Sequence, residues 1–121
     1  MRRDAAGRVL EMASPIMDGI LRGFNNNDYH DYSKDFSDIM LKAHGKGKFE
    51  ETRDFIISKA GRYVSRGDSQ VMKQGSYLIV ISKARFTKED EVLVKVVFSA
   101  DDPDHKIMGL WFDSPKIRES L

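Results

Sequence analysis

The stretch YLIVISKARFTKEDEVLVKVVFSA, residues 77–100, decides the fold. Val92, Val94, Val96 and Phe98 recur at every second position, as do Leu78, Val80, Ala84 and Phe86 with one gap, which is the period of a strand and not of a helix. The polar cluster Lys88-Glu89-Asp90 between the two runs is a turn, so they pair antiparallel. Downstream, beyond a second turn at Asp101-Asp102-Pro103-Asp104, residues 106–113 continue the apolar face through Met108, Leu110 and Phe112. Upstream, residues 63–73 form a weaker strand interrupted at Arg66-Gly67-Asp68 by a bulge or turn. Short links between consecutive strands make a four-stranded antiparallel meander.

Before residue 61 the apolar period is that of a helix. Val9, Ala13, Ile16, Ile20 and Phe24 step by three or four, with Met17 and Leu21 beside them, along one long first helix. Pro15 inside it donates nothing to the ladder, and a kink is expected there. The run GFNNND, residues 23–28, ends it. A second helical stretch carries Tyr29, Tyr32, Phe36, Ile39, Met40 and Ala43, with Ser37 able to restart it partway. Gly45 and Gly47 break that stretch. A third helix, FEETRDFIISKA, sets Phe49, Ile56 and Ala60 on one side and stops at Gly61. Three N-terminal helices packed on one sheet is an α+β architecture, in a single domain spanning residues 1–121.

Composition narrows the function classes. Twenty Lys and Arg against 19 Asp and Glu leave a net charge of +1, which argues against nucleic acid or a membrane surface as partner. No cysteine is present, so thiol chemistry, disulfides, iron–sulfur clusters and cysteine zinc sites are excluded. Asp4, Arg8, Glu11 and Asp18 interrupt the N-terminal apolar residues, leaving neither a signal h-region nor a membrane span, so a cytoplasmic setting is expected.

The second face of the sheet is more apolar than water tolerates. It holds Tyr77, Ile79, Ile81, Leu93, Val97, Ile107 and Trp111, relieved only by Lys83, Arg85 and Lys95. A sheet-to-sheet homodimer through Tyr77, Ile79, Ile81, Leu93, Val97 and Trp111 is the simplest cover; curling of the sheet over its own helices is the other.

Asp101, Asp102, Asp104 and His105 lack the remaining ligands and the glycine of a calcium loop, and DDPD is a turn sequence; no metal site is expected. His30, His44 and His105 lie far apart. From Lys42 to Arg66, seven basic residues outnumber three acidic ones, which is the ordinary pattern of a solvated helix face.

Taken together, the long amphipathic helix, the break NNNDYHDYSKDF (residues 25–36) and a meander closing in GLWFDSPKIR (residues 109–118) resemble the prokaryotic domain of unknown function 3887 family. That family is placed in the nuclear-transport-factor-two-like, or cystatin-like, superfamily. The resemblance implies a cone: a strongly curved four-stranded sheet wrapped around the long helix, with a pocket between. It carries over no catalytic residue and no cofactor. Should the pocket be catalytic, a lyase or isomerase would need a carboxylate in an apolar cavity beside a tyrosine, for which Tyr29, Tyr32, Asp35 and Asp113 are the candidates. Should it only bind, Phe36, Phe98 and Trp111 are candidates for its wall. The leading expectation is a non-enzymatic, dimeric domain that binds a small apolar ligand or a protein partner.

Overall fold

The structure, a computed structural model, describes residues 5–119. Its elements run α1 (Ala5–Asn26), α2 (Tyr29–Ser33), α3 (Asp38–Ala43), α4 (Lys46–Ala60), β1 (Tyr63–Gln74), β2 (Tyr77–Phe86), β3 (Glu89–Ser99), β4 (Ile107–Asp113) and α5 (Pro115–Arg118). The strands pair antiparallel in chain order, β1-β2-β3-β4, giving an α+β fold with helices ahead of one meander.

Four helices, not three, precede the sheet. The second expected helix is divided because Ser37 turns extended and caps α3, its hydroxyl accepting from Met40 N at 3.2 Å. The residues between are drawn to the sheet, where Ile107 N donates to Asp35 O at 2.8 Å and Ser37 N to Ile107 O at 2.9 Å, bridging Phe36 to Ile107 in parallel. Gly45, expected as a break, is the N-cap of α4. The β2–β3 turn is Thr87 and Lys88, so β3 begins at Glu89.

Helix α1 runs through Pro15 as a single helix and ends at Asn26, followed by Asn27 at a φ of 56°. Its C-terminus is heavily tied down. The Asn25 side chain accepts from Tyr63 N at 2.9 Å and donates to Tyr63 O at 2.7 Å, mimicking a strand neighbour at the start of β1. Arg53 reaches Phe24 O at 2.6 Å and Arg62 reaches Asn25 O at 2.6 Å, two cations on the negative end of the helix dipole. Part of the local basic excess therefore serves the fold.

The inner face of the sheet meets α1. Val92, Val94, Val96 and Phe98 are wholly buried, opposite Ala13, Met17, Leu21 and Phe24. Phe24 sits edge-on to Phe86 at 5.9 Å and stacks on Phe112 at 5.5 Å. One polar group interrupts this face: Ser82 bonds Ser69, and Arg66 reaches both hydroxyls, the Ser14 carbonyl at 3.3 Å and Asp18 at 3.0 Å. The register of β1 shifts between Arg66 and Ser69, a bulge at the place where a bulge or a turn is expected.

A bulge between β3 and β4 overturns the expected parity of β4. Val97 pairs with Gly109 while Phe98 pairs with Ile107, so Met108 is an extra residue. Ile107, expected on the outer face, is wholly buried, and Met108, expected inside, is 39% exposed. One inserted residue is enough to exchange faces in a chain of period two.

Candidate functional site

A cleft of about 590 Å³ opens between α3, α4 and β4. It exists because the strand order leaves β4 at an edge, and beyond the Phe36–Ile107 bridge no strand among the described residues pairs with that edge. Ile39 and Met40 come from α3, Phe49 and Phe55 from α4, Met108 and Leu110 from β4. His44, Lys48, Glu51 and Thr52 provide the polar side-chain groups along α4 and its corner with α3.

Tyr32 is the buried polar residue of this cleft. It is 5% exposed, with its ring 4.5 Å from Phe49 and 5.5 Å from Phe36. Burial pushes its phenol well above the ordinary value. The hydroxyl has no hydrogen-bond partner among the described residues, where no fully enclosed side-chain oxygen or nitrogen lacks one. It therefore opens on the cleft. Tyr29, by contrast, is spent: its hydroxyl donates to His44 O at 2.7 Å and fastens the α3–α4 corner.

The sign of Tyr32's contribution with pH follows directly. The phenol is neutral in both folded and unfolded chains below its ordinary value of 10.0; above it the unfolded chain ionises first, so stability falls as pH rises. Tyr32→Phe is expected to flatten that alkaline decline in urea melts taken upward from pH 10; an unchanged slope would show that Tyr32 is not desolvated.

Of the other candidates, Asp35 is half-buried, lends its carbonyl to the Ile107 bridge and does not line the cleft. Asp113 pairs with Arg118 at 3.0 Å and also lies outside it, while Ser114 caps α5 by accepting from Ile117 N at 3.2 Å. Phe36 and Phe98 are buried in the core behind the cleft. Trp111 lines it and is 52% exposed. Tyr32 and Trp111 thus share one cavity, and the two aspartates do not join them. Sequence reasoning missed Ile39, 73% exposed, and Lys48. The available signal was DIMLKA, a short helix with apolar residues on several sides, which one packing surface cannot cover.

On the outer face of the sheet Met72, Tyr77 and Trp111 are exposed, and Ile81, Leu93 and Val97 are half-buried. Ile79 offers little surface, being 7% exposed between its register neighbours Met72 and Val97. The Trp111 indole lies along β4 where a Cβ on Gly109 would stand, with Lys95 Nζ 5.0 Å from its ring centroid.

The aspartate-rich turn is closed by its own side chain. Asp102 accepts from Asp104 N at 2.9 Å and Lys106 N at 3.1 Å, bonds that hold its carboxyl below the usual range. Among the described residues no three His, Cys, Asp or Glu side chains gather as metal ligands, and no helix is long and apolar enough to cross a membrane.

No curated protein and no solved structure matches the chain. One family model does, over residues 18–110, described as Protein of unknown function (DUF3887). The match runs from the middle of α1 through the NNNDYHDYSKDF break and the meander to Leu110, taking in most of the cleft wall. The chain belongs to the DUF3887 family.

Proposed function

We propose that this domain binds a small, largely apolar molecule in the cleft between α3, α4 and β4, and that its chains pair through the outer face of the sheet. The observation that carries the first part is Tyr32, its ring buried among aromatic rings and its hydroxyl open on the cleft with no hydrogen-bond partner among the described residues. A lone hydroxyl in an otherwise apolar wall is the kind of polar group that fixes the orientation of a bound small molecule. The acid–base reading draws no support of this kind: neither Asp35 nor Asp113 lines the cleft, and Glu51, which does, is exposed. The bulges in β1 and β4 favour a bent sheet and so the cone-shaped, cystatin-like form.

A thermal-shift titration with 1-octanol tests the cleft. Saturation to about a hundred times Kd is expected to add about 2.7 kcal/mol. Ala43→Trp, at an exposed position on the cleft wall, is expected to abolish the shift while leaving the unliganded melt near its original position. A shift surviving that substitution would put the ligand elsewhere.

For the pairing, the outer face carries both charge signs beside its apolar residues, Lys83 with Glu91 at 4.0 Å and Arg85 with Asp90 at 3.8 Å, so a second copy related by a two-fold axis meets complementary groups. Light scattering at micromolar concentration is expected to give the dimer mass. Ile81→Glu is expected to give a folded monomer, because the new carboxylate faces Lys95 across the ladder. A wild-type monomer would end the proposal.

A further inference from the structure

We infer that the cleft takes an amphiphile with an anionic head, its apolar body against α3 and β4 and its charge at the N-terminus of α4. The inference rests on the cleft reading above and adds the chemistry of the ligand. Helix α4, 15 residues long, begins at HGKGK, residues 44–48. Gly45 stands at its N-cap and supplies no side-chain acceptor, and no acidic residue lies in the first turn. The N–H groups of Lys46, Gly47 and Lys48 therefore have no partner among the described residues.

Two lysines occupy the turn where the helix dipole is positive, an arrangement unfavourable by itself and reversed in sign when an anion binds. Lys48 lines the cleft and is exposed, with no ion pair among the described residues. The approach to the backbone is open, since a Cβ built on Gly45 or Gly47 meets no atom of the described residues within 4 Å. His44 lines the cleft at the same corner. Glu51 lies one turn further along α4 on the same wall and repels an anion there, which orients the head toward the corner and the tail along the apolar wall.

The second, independent observation is Tyr32, nine-tenths buried and without a hydrogen-bond partner among the described residues, which opens on this same cleft and offers its hydroxyl to a ligand there. Neither an inorganic anion alone nor a neutral hydrocarbon satisfies both features. A carboxylate, sulfate or phosphate monoester on an apolar chain does.

Isothermal titration of the full chain with octanoate, 1-octanol, octylammonium and acetate, at low and high salt, tests this. Octanoate is expected to bind about tenfold more tightly than 1-octanol at low salt, the worth of one charge-assisted contact. Salt is expected to narrow that gap. Lys48→Gln is expected to remove most of the preference for octanoate over 1-octanol, and a preference that survives it would place the charge contact elsewhere. Equal affinity for octanoate and 1-octanol, or a preference for octylammonium, would overturn the anionic head and leave the cleft reading standing. Acetate binding as tightly as octanoate would overturn the amphiphile. Failure of octanoate, 1-octanol and octylammonium alike would remove the cleft reading together with this inference.

Discussion

Phe24→Ala is expected to cost about 3–5 kcal/mol, the range for truncating a fully buried phenylalanine. The side chain is 1% exposed and holds three elements together, coming from α1 and meeting Phe86 of β2 and Phe112 of β4. Its ring neighbours are fixed by the strand register and cannot close in on the space it leaves, so the cost includes a cavity as well as lost transfer free energy. A domain of this size has about 5–15 kcal/mol to lose. The melting temperature should fall by about 10–20 °C, with a lower urea midpoint at an unchanged m-value. Because Phe112 also lines the cleft, 1-octanol should stabilise the variant less than the wild type. A fall of only a degree or two would mean that α1 is held to the sheet by something other than this aromatic group.

The second large effect has the opposite sign from the one that helix propensity suggests. Gly23 lies inside α1, where alanine would ordinarily add about 1 kcal/mol. A Cβ at that position would stand 2.5 Å from Tyr32 N and 2.8 Å from both Asp28 O and Tyr32 Cα. All three are backbone atoms of the α1–α2 corner, and Asp28 N is tied back to Gly23 O at 2.9 Å, so the corner has no side chain to move aside. Gly23→Ala is expected to destabilise by about 2–3 kcal/mol, overpacking outweighing propensity. It should also displace Tyr32, which a changed alkaline profile would report. Gly47→Ala is the matched control: a Cβ there meets no atom of the described residues within 4 Å, and stability should hold or rise. Destabilisation of both variants by similar amounts would show that close approach at Gly23 is not the cause.

The legible parts of the fold are those fixed by local periodicity. Alternation in residues 77–100 needs no tertiary information to read as two strands, and Asn27 and Asp28 end α1 and start α2 with their own backbone and side-chain chemistry. The division of α2 from α3 was not legible beyond the hint of Ser37, because the chain is pulled extended there by Ile107, a residue remote in sequence. The same holds for Met108: an inserted residue leaves the composition of β4 unchanged and shows only in its pairing with β3. For the site, aromatic content pointed to Tyr32 and Trp111. Whether a carboxylate faces a cavity depends on which strand lies at the edge and which helix closes it, and so Asp35 and Asp113 could not be placed beforehand. Lys48 was hidden in an unremarkable run of charge.

Trp111 is the chain's one tryptophan. Half in water, beneath the Lys95 ammonium and on the cleft wall, it makes the protein its own optical probe. Displacing water from the indole shifts emission to the blue, and moving the ammonium changes its intensity, so occupancy reads out without a label. The same ring belongs to the outer face, where burial by a second copy would give a blue shift that depends on protein concentration. Ligand dependence and concentration dependence separate the two events in a single cuvette.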